Sequence, residues 1–357
     1  MGIITESNAK IHVSEGKLSK KLPVFYNPVM KFNRDVSILL LRALGKKNLH
    51  VADPLAGSGV RAVRFLQELS DIVESIAVND YSSVSAIKKN FKLNKLSVRN
   101  VTFHRDDATL FLLNSTGFDY IDIDPFGTPN PFLDAAVKRI ARDGILAVTA
   151  TDTAALAGTA PAACRRKYWA IPLRNELMHE IGLRILIRKV QLVGAQFDKA
   201  LLPVCSYSKD HYYRVFFRAE KSKEACDSIL KPHHLVYYCS RCSVTVEHCS
   251  HTFADVGPLW CGQLQQKSLL KKMDKLTDDS FIHALAEESK ENIVGFFDLH
   301  RVAARTKTEP LKTEQALFLL REHGYIALRT HFSSHAVKTN ASLAQFEKLI
   351  QSFVAHQ

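Results

Sequence analysis

Short apolar runs alternate with amphipathic stretches from residue 48 to about 219, and this alternation predicts strands and helices in turn. The predicted strands are 48–52, 75–78, 101–104, 118–123 and 144–151. The predicted helices are 58–69, 83–95, 107–114, 130–141 and 174–193. Two β-rich runs, 201–206 and 211–218, predict a hairpin that closes the series. Repeated β-α units of this kind predict a doubly wound, mostly parallel sheet with a final antiparallel strand.

The stretch before this series reads as an arm. Residues 10–19 predict a lead-in ribbon. Pro23 directly before residues 24–35 and the Asn27-Pro28 pair within them are typical of a loop. The loop is rich in aromatic residues and leads to Arg34 and an apolar helix over 36–44. It could pack on the next domain as a simple structural arm, or it could carry ligand-binding residues.

The α/β pattern stops at 221–232, and a second domain follows. Residues 265–357 are helical and basic, with an apolar-periodic helix over 315–323 and a short strand over 325–329. We therefore predict a smaller α+β domain at the C-terminal end. The predicted domains are an N-terminal arm and loop, residues 1–35, an α/β domain, residues 36–220, and the C-terminal domain, residues 221–357.

The charge balance favours a polyanionic partner. The 357 residues carry 48 Lys and Arg against 36 Asp and Glu, a net charge of +12. A generic basic surface is the alternative on composition alone. No apolar run of 18 or more residues predicts a membrane span, and residues 1–21 lack the apolar core of a signal peptide. Seven cysteines, an odd number, favour a reducing compartment, so we expect a cytoplasmic protein.

Several predicted strands end at an acid, and the acids are Asp53, Asp80, Asp107 and Asp124. After the first, Gly57 and Gly59 form a turn that lets the backbone approach a ligand at a helix N-terminus. Asp80 lies where an acid can hold two ribose hydroxyls. Asp107 can bond an adenine amino group, while the backbone of Ala108 contacts the ring. Each acid taken singly could be a helix cap, but four together favour a ligand site.

The fourth strand end reads Asp122-Ile123-Asp124-Pro125-Phe126-Gly127. In an open α/β sheet, ligands bind outside the carboxyl ends of the strands. An acid beside an aromatic ring there suits a flat, nitrogen-bearing substrate, because the acid can accept a hydrogen bond from an amine while the ring stacks on the heterocycle. The alternative is that Asp124 caps the next helix and Phe126 packs in the core.

Taken together, these motifs resemble a class I methyltransferase that uses S-adenosylmethionine. The Asp124-Pro125-Phe126 element is similar to the motif of enzymes that methylate exocyclic amines of bases. Across nearly its whole length, the chain resembles the tRNA (guanine26-N2)-dimethyltransferase family in its shorter archaeal form. The supporting stretches are residues 24–30, Asp35, 151–156, Tyr168, 174–176, 257–260, 298–300, 329–332 and 338–341.

The resemblance implies a Rossmann-like sheet with helices on both faces, and transfer of methyl groups to the N2 amine of guanine 26 in tRNA. It implies that Asp124 orients the amine or accepts its proton, while Phe126 and Phe25 hold the flipped base. The implied cofactor-binding residues are Arg34, Asp53, Gly57, Arg61, Asp80, Asp107 and Ala108. Asp122 is expected to be a buried structural residue. Basic residues of the C-terminal domain would contact tRNA phosphates, and the protein would be a monomer.

A CxxC knuckle lies in the second domain, within residues 237–262. Members of the family often carry a second CxxC there, which this chain lacks. Three cysteines and a histidine can still form a tetrahedral zinc site, and we assign it to Cys239, Cys242, Cys249 and His251. Nearby His248 and Cys261 are further candidates. The alternative is a degenerate knuckle without metal.

Two other hypotheses compete with a tRNA guanine N2-methyltransferase. An amino-methylating enzyme acting on another RNA or on DNA would share the Asp124-Pro125-Phe126 element. A non-catalytic RNA-binding protein with the same fold would share the basic charge. Intact acids at four strand ends argue against the second of these.

Overall fold

The computed structural model describes residues 2–14, 24–239, 243–245, 251 and 253–355. Its strands are β1 Gly2–Glu6, β2 Ala9–Val13, β3 Leu49–Asp53, β4 Val73–Asn79, β5 Val101–His104, β6 Phe118–Ile123, β7 Ile140–Ala150, β8 Lys199–Lys209, β9 Tyr212–Lys221, β10 His233–Cys239, β11 Ser243–Thr245, β12 Ala254–Trp260, β13 Phe297–Asp298, β14 Ala327–Arg329 and β15 Ala336–Thr339.

Helices separate most of these strands. They are α1 Lys31–Leu44, α2 Val60–Glu68, α3 Val84–Leu93, α4 Ala108–Asn114, α5 Asn130–Arg139, α6 Thr153–Leu156, α7 Pro161–Tyr168, α8 Met178–Ala195, α9 Lys223–Leu230, α10 Lys267–Asp274, α11 Ser280–Glu288, α12 Leu299–Thr306, α13 Thr313–Glu322 and α14 Leu343–Ala355. In the part of the chain that is described, no helix is long and apolar enough to cross a membrane.

The chain divides into two compact units. The first unit comprises Met1–Thr151, Gln191–Val204 and Arg214–Asp227. The second unit comprises Asp152–Val190, Cys205–Tyr213 and Ser228–Gln357. The functional division of the chain at residues 35 and 220 stays a prediction, because it concerns what each part does.

A seven-stranded sheet runs in the order β5-β4-β3-β6-β7-β9-β8. The pairs β3–β4, β3–β6, β4–β5 and β6–β7 are parallel, so the predicted parallel α/β sheet is confirmed. β8 and β9 are neighbours separated in sequence only by residues 210–211, which is the predicted hairpin. Because β4, β3 and β6 are adjacent and parallel, the acids that follow them meet at one edge of the sheet.

The helix predicted over 36–44 begins earlier than expected, at Lys31. A 3-10 turn, Pro28–Met30, precedes it, and the Asn27 side chain accepts a hydrogen bond from the Val29 amide at the start of that turn. Asn-Pro therefore marks a helix start, because asparagine caps well and proline suits the first helical position. Arg34, expected at the end of a loop, lies within α1.

Other elements also differ from the sequence prediction. An antiparallel hairpin, β1–β2, begins before the expected ribbon and includes its residues 10–13, whereas residues 15–19 of the ribbon lie outside the described residues. Two short helices, α6 and α7, fill the stretch between β7 and α8, where no element was predicted. β7 begins at Ile140, where the sequence indicated helix, because the backbone of Ile140 is extended and caps α5 there.

The second unit contains two small antiparallel sheets, β11-β10-β12 and β13-β15-β14. An apolar cluster built on α12, α13 and α14 packs against the strands of the latter sheet, with Phe346 and Val337 fully buried. The helix expected over 315–323 corresponds to α13, and the strand expected over 325–329 corresponds to β14.

Candidate active site

One cavity of about 470 Å³ opens at the carboxyl edge of the first unit's parallel strands. Its volume falls within the range of roughly 300–1,000 Å³ that small-molecule sites occupy. The lining includes most of the residues that the sequence pointed to, namely Phe25, Arg34, Asp53, Gly57, Arg61, Asp80, Asp124 and Phe126. It also includes residues that the sequence analysis did not assign, such as Ser58, Thr128, Phe132 and Thr151.

Asp124 is held by a buried network of charges. Its Oδ2 accepts a hydrogen bond of 2.6 Å from Nη2 of Arg61, and its side chain is 19% exposed. Arg61 also lies 3.0 Å from a carboxylate oxygen of Asp122, and it donates to Asn33 and Ser37. The Asp124 side chain therefore faces the cavity with one oxygen already fixed in place.

Asp122 lies beneath this pair and is completely buried, as the sequence predicted. Arg214 donates to both of its oxygens, at 2.9 and 2.7 Å, and the Tyr120 hydroxyl donates at 2.6 Å. Burial alone would raise the pKa of Asp122, but the charges of Arg214 and Arg61 lower it below its usual value. The sequence contained no signal for Arg214, which lies 92 residues away on β9.

Glu6 of the first hairpin anchors the loop that carries Phe25. It accepts hydrogen bonds from Arg34 Nε at 2.7 Å, from Arg64 at 2.9 Å and from the Tyr26 hydroxyl at 2.8 Å. Burial would raise the pKa of Glu6, but these partners, Arg34 first, lower it to about 2. Arg34 lines the cavity, yet its guanidinium is engaged by Glu6, a residue that the sequence analysis did not single out.

Two phenylalanine rings form one wall of the cavity. The Phe25 and Phe126 ring centroids are 4.3 Å apart, with an interplanar angle of 69°. Phe126 is 43% exposed, which excludes the alternative that it fills the core. The turn after it is fastened by Thr151, whose hydroxyl accepts a hydrogen bond from the Gly127 amide at 2.7 Å. An exposed edge-to-face pair beside a carboxylate can receive a planar heterocycle.

The glycine turn after β3 lies at the cavity, with Gly57 among the lining residues. Gly57 has a φ of +54°, and a Cβ there would lie 3.1 Å from the Phe25 carbonyl oxygen. Gly59 has a φ of +75°, and a Cβ would meet Ile87 at 2.8 Å. Asp80 accepts a hydrogen bond of 2.9 Å from the Gly57 amide, so the second strand end supports the first turn. A side chain at Gly57 would crowd the backbone of Phe25 at the cavity, whereas a side chain at Gly59 would clash with Ile87 of α3.

Two buried polar atoms of residues that line the cavity have no hydrogen-bond partner among the described residues. They are Oδ2 of Asp53 and Oγ of Ser58, and both residues line the cavity. Burial raises the pKa of Asp53 to about 7; Asp122, Asp124 and Asp80 add to the rise, while Arg61 opposes it. An orphaned buried carboxylate oxygen fits a ligand that brings a positive charge or a hydrogen-bond donor.

Asp107 and Ala108 are not among the residues that line this cavity. Asp107 is exposed and caps α4, accepting hydrogen bonds from the amides of Thr109 and Leu110. Ala108 is buried at the start of α4. The helix-cap interpretation therefore describes the contacts that Asp107 makes in this structure.

Of the four residues assigned to zinc, Cys242 and Cys249 lie outside the described residues. Cys239 is buried at the end of β10, and His251 is exposed. Within the described ranges, no group of three or more His, Cys, Asp or Glu side chains is arranged to hold a metal ion.

An open α/β sheet with acids and a glycine turn around one cavity at its carboxyl edge defines a nucleotide-type ligand-binding fold. The model of the N2,N2-dimethylguanosine tRNA methyltransferase family matches residues 5–351, and the chain belongs to that family. The resemblance drawn from the sequence is therefore confirmed.

Relatives with assigned activities match over nearly their whole length. The chain is 38% identical to the tRNA (guanine(26)-N(2)/guanine(27)-N(2))-dimethyltransferase of Aquifex aeolicus, covering 98% of this chain and 96% of that one. It is 36% identical to the tRNA (guanine(26)-N(2))-dimethyltransferase of Pyrococcus furiosus, covering 98% of each. Trm1 from Pyrococcus horikoshii, solved with S-adenosyl-L-methionine, is similar in structure, with a TM-score of 0.87, 32% identity and coverage of 98% and 99%.

Proposed function

We propose that this protein transfers methyl groups from S-adenosylmethionine to the exocyclic N2 amine of guanine 26 in tRNA, giving N2-methyl- and N2,N2-dimethylguanosine. The observation that carries the proposal is Asp124 beside Phe126 and Phe25 in one cavity, in a chain that matches this family over residues 5–351. Family membership favours this function over a DNA or other RNA amino-methyltransferase and over a non-catalytic RNA-binding protein.

The residues present fit the cofactor. The orphaned Oδ2 of Asp53 suits its positive charge, Asp80 can accept hydrogen bonds from ribose hydroxyls, and the Gly57 turn leaves room for close approach. Arg34 and Arg61 line the same cavity, and Arg61 also orients Asp124. When bound, S-adenosylmethionine supplies a methyl group on an electrophilic sulfonium.

The substrate amine is a poor nucleophile, because its lone pair is delocalised into the guanine ring. Asp124 Oδ1 receives no hydrogen bond among the described residues, so it can accept one from the N2 amine and hold the lone pair toward the methyl group. As the new C–N bond forms, the bond between the methyl group and sulfur would break and leave its electron pair on the sulfur of S-adenosylhomocysteine. The positive charge would pass to the nitrogen, where the Asp124 carboxylate stabilises it and accepts the proton. Positioning and proton acceptance of this kind each lower a barrier by several kcal/mol.

Phe25 and Phe126 would hold the guanine once it has left its helix, at a cost of a few kcal/mol for unstacking.

Further parts of the proposal concern the rest of the molecule. We place the catalytic domain at residues 36–220, with helices on both faces of its sheet, and the tRNA-binding domain at 221–357. A zinc knuckle at Cys239, Cys242, Cys249 and His251, adenine contacts from Asp107 and Ala108, a monomeric state and a cytoplasmic location belong to the same proposal.

The test is mass spectrometry of tRNA nucleosides after reaction of the purified protein with S-adenosylmethionine and an unmodified tRNA transcript. We expect N2-methyl- and N2,N2-dimethylguanosine, lost when guanine 26 is replaced by adenine. Because the Aquifex aeolicus relative is named for guanines 26 and 27, the transcripts should carry guanine at either position or at both. Methyl groups found only on adenine or cytosine would refute the proposal.

Asp53 is expected to make cofactor binding depend on pH near neutrality. Its pKa of about 7 means that a cationic ligand must draw a proton off the carboxyl, so binding releases a proton. Affinity for S-adenosylmethionine should fall about tenfold between pH 8 and pH 6, since each pKa unit is about 1.4 kcal/mol. Titration calorimetry in buffers of different ionisation enthalpy measures both quantities.

The variant Asp53→Asn should bind weakly at both pH values and release no proton, whereas Asp80→Asn should keep the wild-type pH slope. Because the folded-state pKa of Asp53 is raised from 3.8, the folded protein holds an extra proton between about pH 4 and pH 7. The stability that this proton confers is lost as pH rises through 7, so Asp53→Asn should raise the melting temperature at pH 8. An unaltered pH slope in Asp53→Asn would contradict the assignment.

A further inference from the structure

An exposed tryptophan lies among basic side chains in the second unit. Trp169 is the C-cap of α7, and 53% of its surface is exposed. Its φ is +55°, a left-handed conformation that is uncommon for a bulky residue. Backbone strain of this kind clusters at functional sites and persists only where the surrounding structure holds it. The exposed indole, held in a strained backbone position, is therefore a candidate for contact with a ligand.

The side chains that hold Trp169 are cations. Nζ of Lys189 lies 3.1 Å from the centroid of the ring, and Nη1 of Arg188 donates to the Trp169 carbonyl oxygen at 3.5 Å. Arg165 and Arg166 are exposed in the last turn of α7. The surface formed by these five residues, Arg165, Arg166, Trp169, Arg188 and Lys189, is called the Trp169 surface below.

Among the described residues, none of the four cations of the Trp169 surface pairs with a carboxylate. Nearby Lys167 does, with Asp152 at 2.8 Å. Lys189 is only 7% exposed, and the Nε of Arg188 is buried without a hydrogen-bond partner. Unpaired charges in such positions are costly unless an anion completes them.

The electrostatics of the cluster agree with this geometry. Burial and then the charge of Arg188 lower the pKa of Lys189 to about 8. Burial, Arg188 and His234 lower the pKa of the neighbouring His233 to about 4. Both shifts arise from burial and from neighbouring cationic side chains, which agrees with the lack of a carboxylate partner for Lys189 and Arg188 within the described ranges. Cations interleaved with an exposed aromatic ring are the combination that binds single-stranded nucleic acid.

We propose that the Trp169 surface binds a nucleotide of the tRNA other than the methylated guanine: the indole stacks on an unpaired base, and Arg165, Arg166 and Arg188 bind the flanking phosphates. This rests on the proposed function, in that tRNA is the substrate. Trp169 is not among the residues that line the catalytic cavity. Lys189 is a positioning residue, because it supports the ring from its buried side. The surface adds affinity and register, and takes no part in methyl transfer.

The chain offers a direct spectroscopic test, because it contains only two tryptophans and the other, Trp260, is 6% exposed. Titration of the full-length protein with unmodified tRNA should quench the fluorescence of Trp169, with a half-point that matches the Kd from fluorescence anisotropy of labelled tRNA. In Trp169→Phe the remaining emission, from Trp260, should not respond. In Trp260→Phe the quenching should remain.

Affinity measurements give a second readout. Trp169→Ala should raise the Kd for tRNA about tenfold, since stacking of one base contributes about 1–3 kcal/mol. Trp169→Phe should restore most of the affinity. Arg165→Gln combined with Arg166→Gln should reduce the slope of log Kd against log salt by about two. In each variant the kcat at saturating tRNA should stay at the wild-type value while KM for tRNA rises.

Matched controls are available. Val98 of the first unit is 53% exposed, as Trp169 is, and Val98→Ala removes an exposed apolar side chain outside the proposed tRNA-binding domain. Arg99→Gln combined with Arg142→Gln removes two exposed arginines of the first unit. Both controls should leave the Kd and the salt slope unchanged.

The outcomes separate this inference from the proposed function. If tRNA binds and is methylated while Trp169 emission stays constant, the inference is overturned and the proposed function stands. If tRNA quenches Trp169 but no methyl group is transferred, the proposed function fails and the nucleotide surface stands. A response of Trp169 to an acidic protein but not to tRNA would overturn the inference in favour of a protein partner.

Discussion

Asp124→Asn is expected to lower kcat for methyl transfer by about 10³-fold while leaving the Kd for S-adenosylmethionine nearly unchanged. The asparagine is isosteric and its oxygen can still accept the Arg61 hydrogen bond, which measures 2.6 Å in the wild type. The variant cannot, however, accept the proton or stabilise the charge that develops on the amine. Single-turnover methylation of tRNA measures the chemical step, and calorimetry measures cofactor binding.

The matched control is Asp106→Asn, at an exposed acid whose amide nitrogen, not its carboxylate, binds Asn79. It should leave kcat unchanged. Asp124→Ala should lose as much activity as Asp124→Asn or more, because it also leaves Arg61 without one of its carboxylates. Loss of cofactor binding in Asp124→Asn, with kcat per bound cofactor intact, would give Asp124 a cofactor-binding role in place of a catalytic one.

Asp122→Asn should have the largest effect on stability, lowering the free energy of unfolding by about 3–5 kcal/mol. The substitution removes the negative charge that compensates Arg214, which is itself fully buried and donates to both oxygens of Asp122. Of its two carboxylate partners, Arg61 would retain only Asp124. Urea unfolding followed by circular dichroism measures the loss.

The loss of stability in Asp122→Asn is expected to depend on pH. The folded-state pKa of Asp122 lies below 3.8, so the stability that its charge confers is present above about pH 4 and is lost as pH falls through the folded pKa. The difference between wild type and Asp122→Asn should therefore shrink in acid. The control is Asp134→Asn, which breaks an exposed pair with Lys138 and should cost less than about 1 kcal/mol. Equal losses in the two variants would argue against a buried network.

The positions of the strand-end acids were predictable because period and polarity are local properties. β5 and β6 have the bounds that the sequence indicated, 101–104 and 118–123. Adjacent parallel strands place their carboxyl ends at one edge, so Asp53, Asp80 and Asp124 meet around one cavity. Asp107 follows a strand in the same way, but its carboxylate accepts hydrogen bonds from the amides of Thr109 and Leu110 in the first turn of α4. The sequence is equally compatible with a helix cap and with a ligand contact at this position.

The partners of the site could not be predicted. Glu6 binds Arg34 and Arg64 across 28 and 58 residues, and Arg214 binds Asp122 across 92. No local pattern marks a long-range ion pair, because an acid in a short hairpin and an arginine in an apolar strand have the same sequence signature with or without a partner. Trp169 is a similar case, since its exposure and its cations follow from how α7 ends and how α8 lies beneath it.

The sequence by itself determined the α/β class, the family, and the acids and ring that surround the cavity, because these depend on periodicity and on motifs of adjacent residues. Only the tertiary structure decided that Arg61 holds Asp124, that Asp53 carries an orphaned oxygen, and that an uncompensated positive surface surrounds Trp169. The physical reason is that hydrogen bonding, burial and charge compensation are properties of the neighbours in space, and folding alone brings those neighbours together.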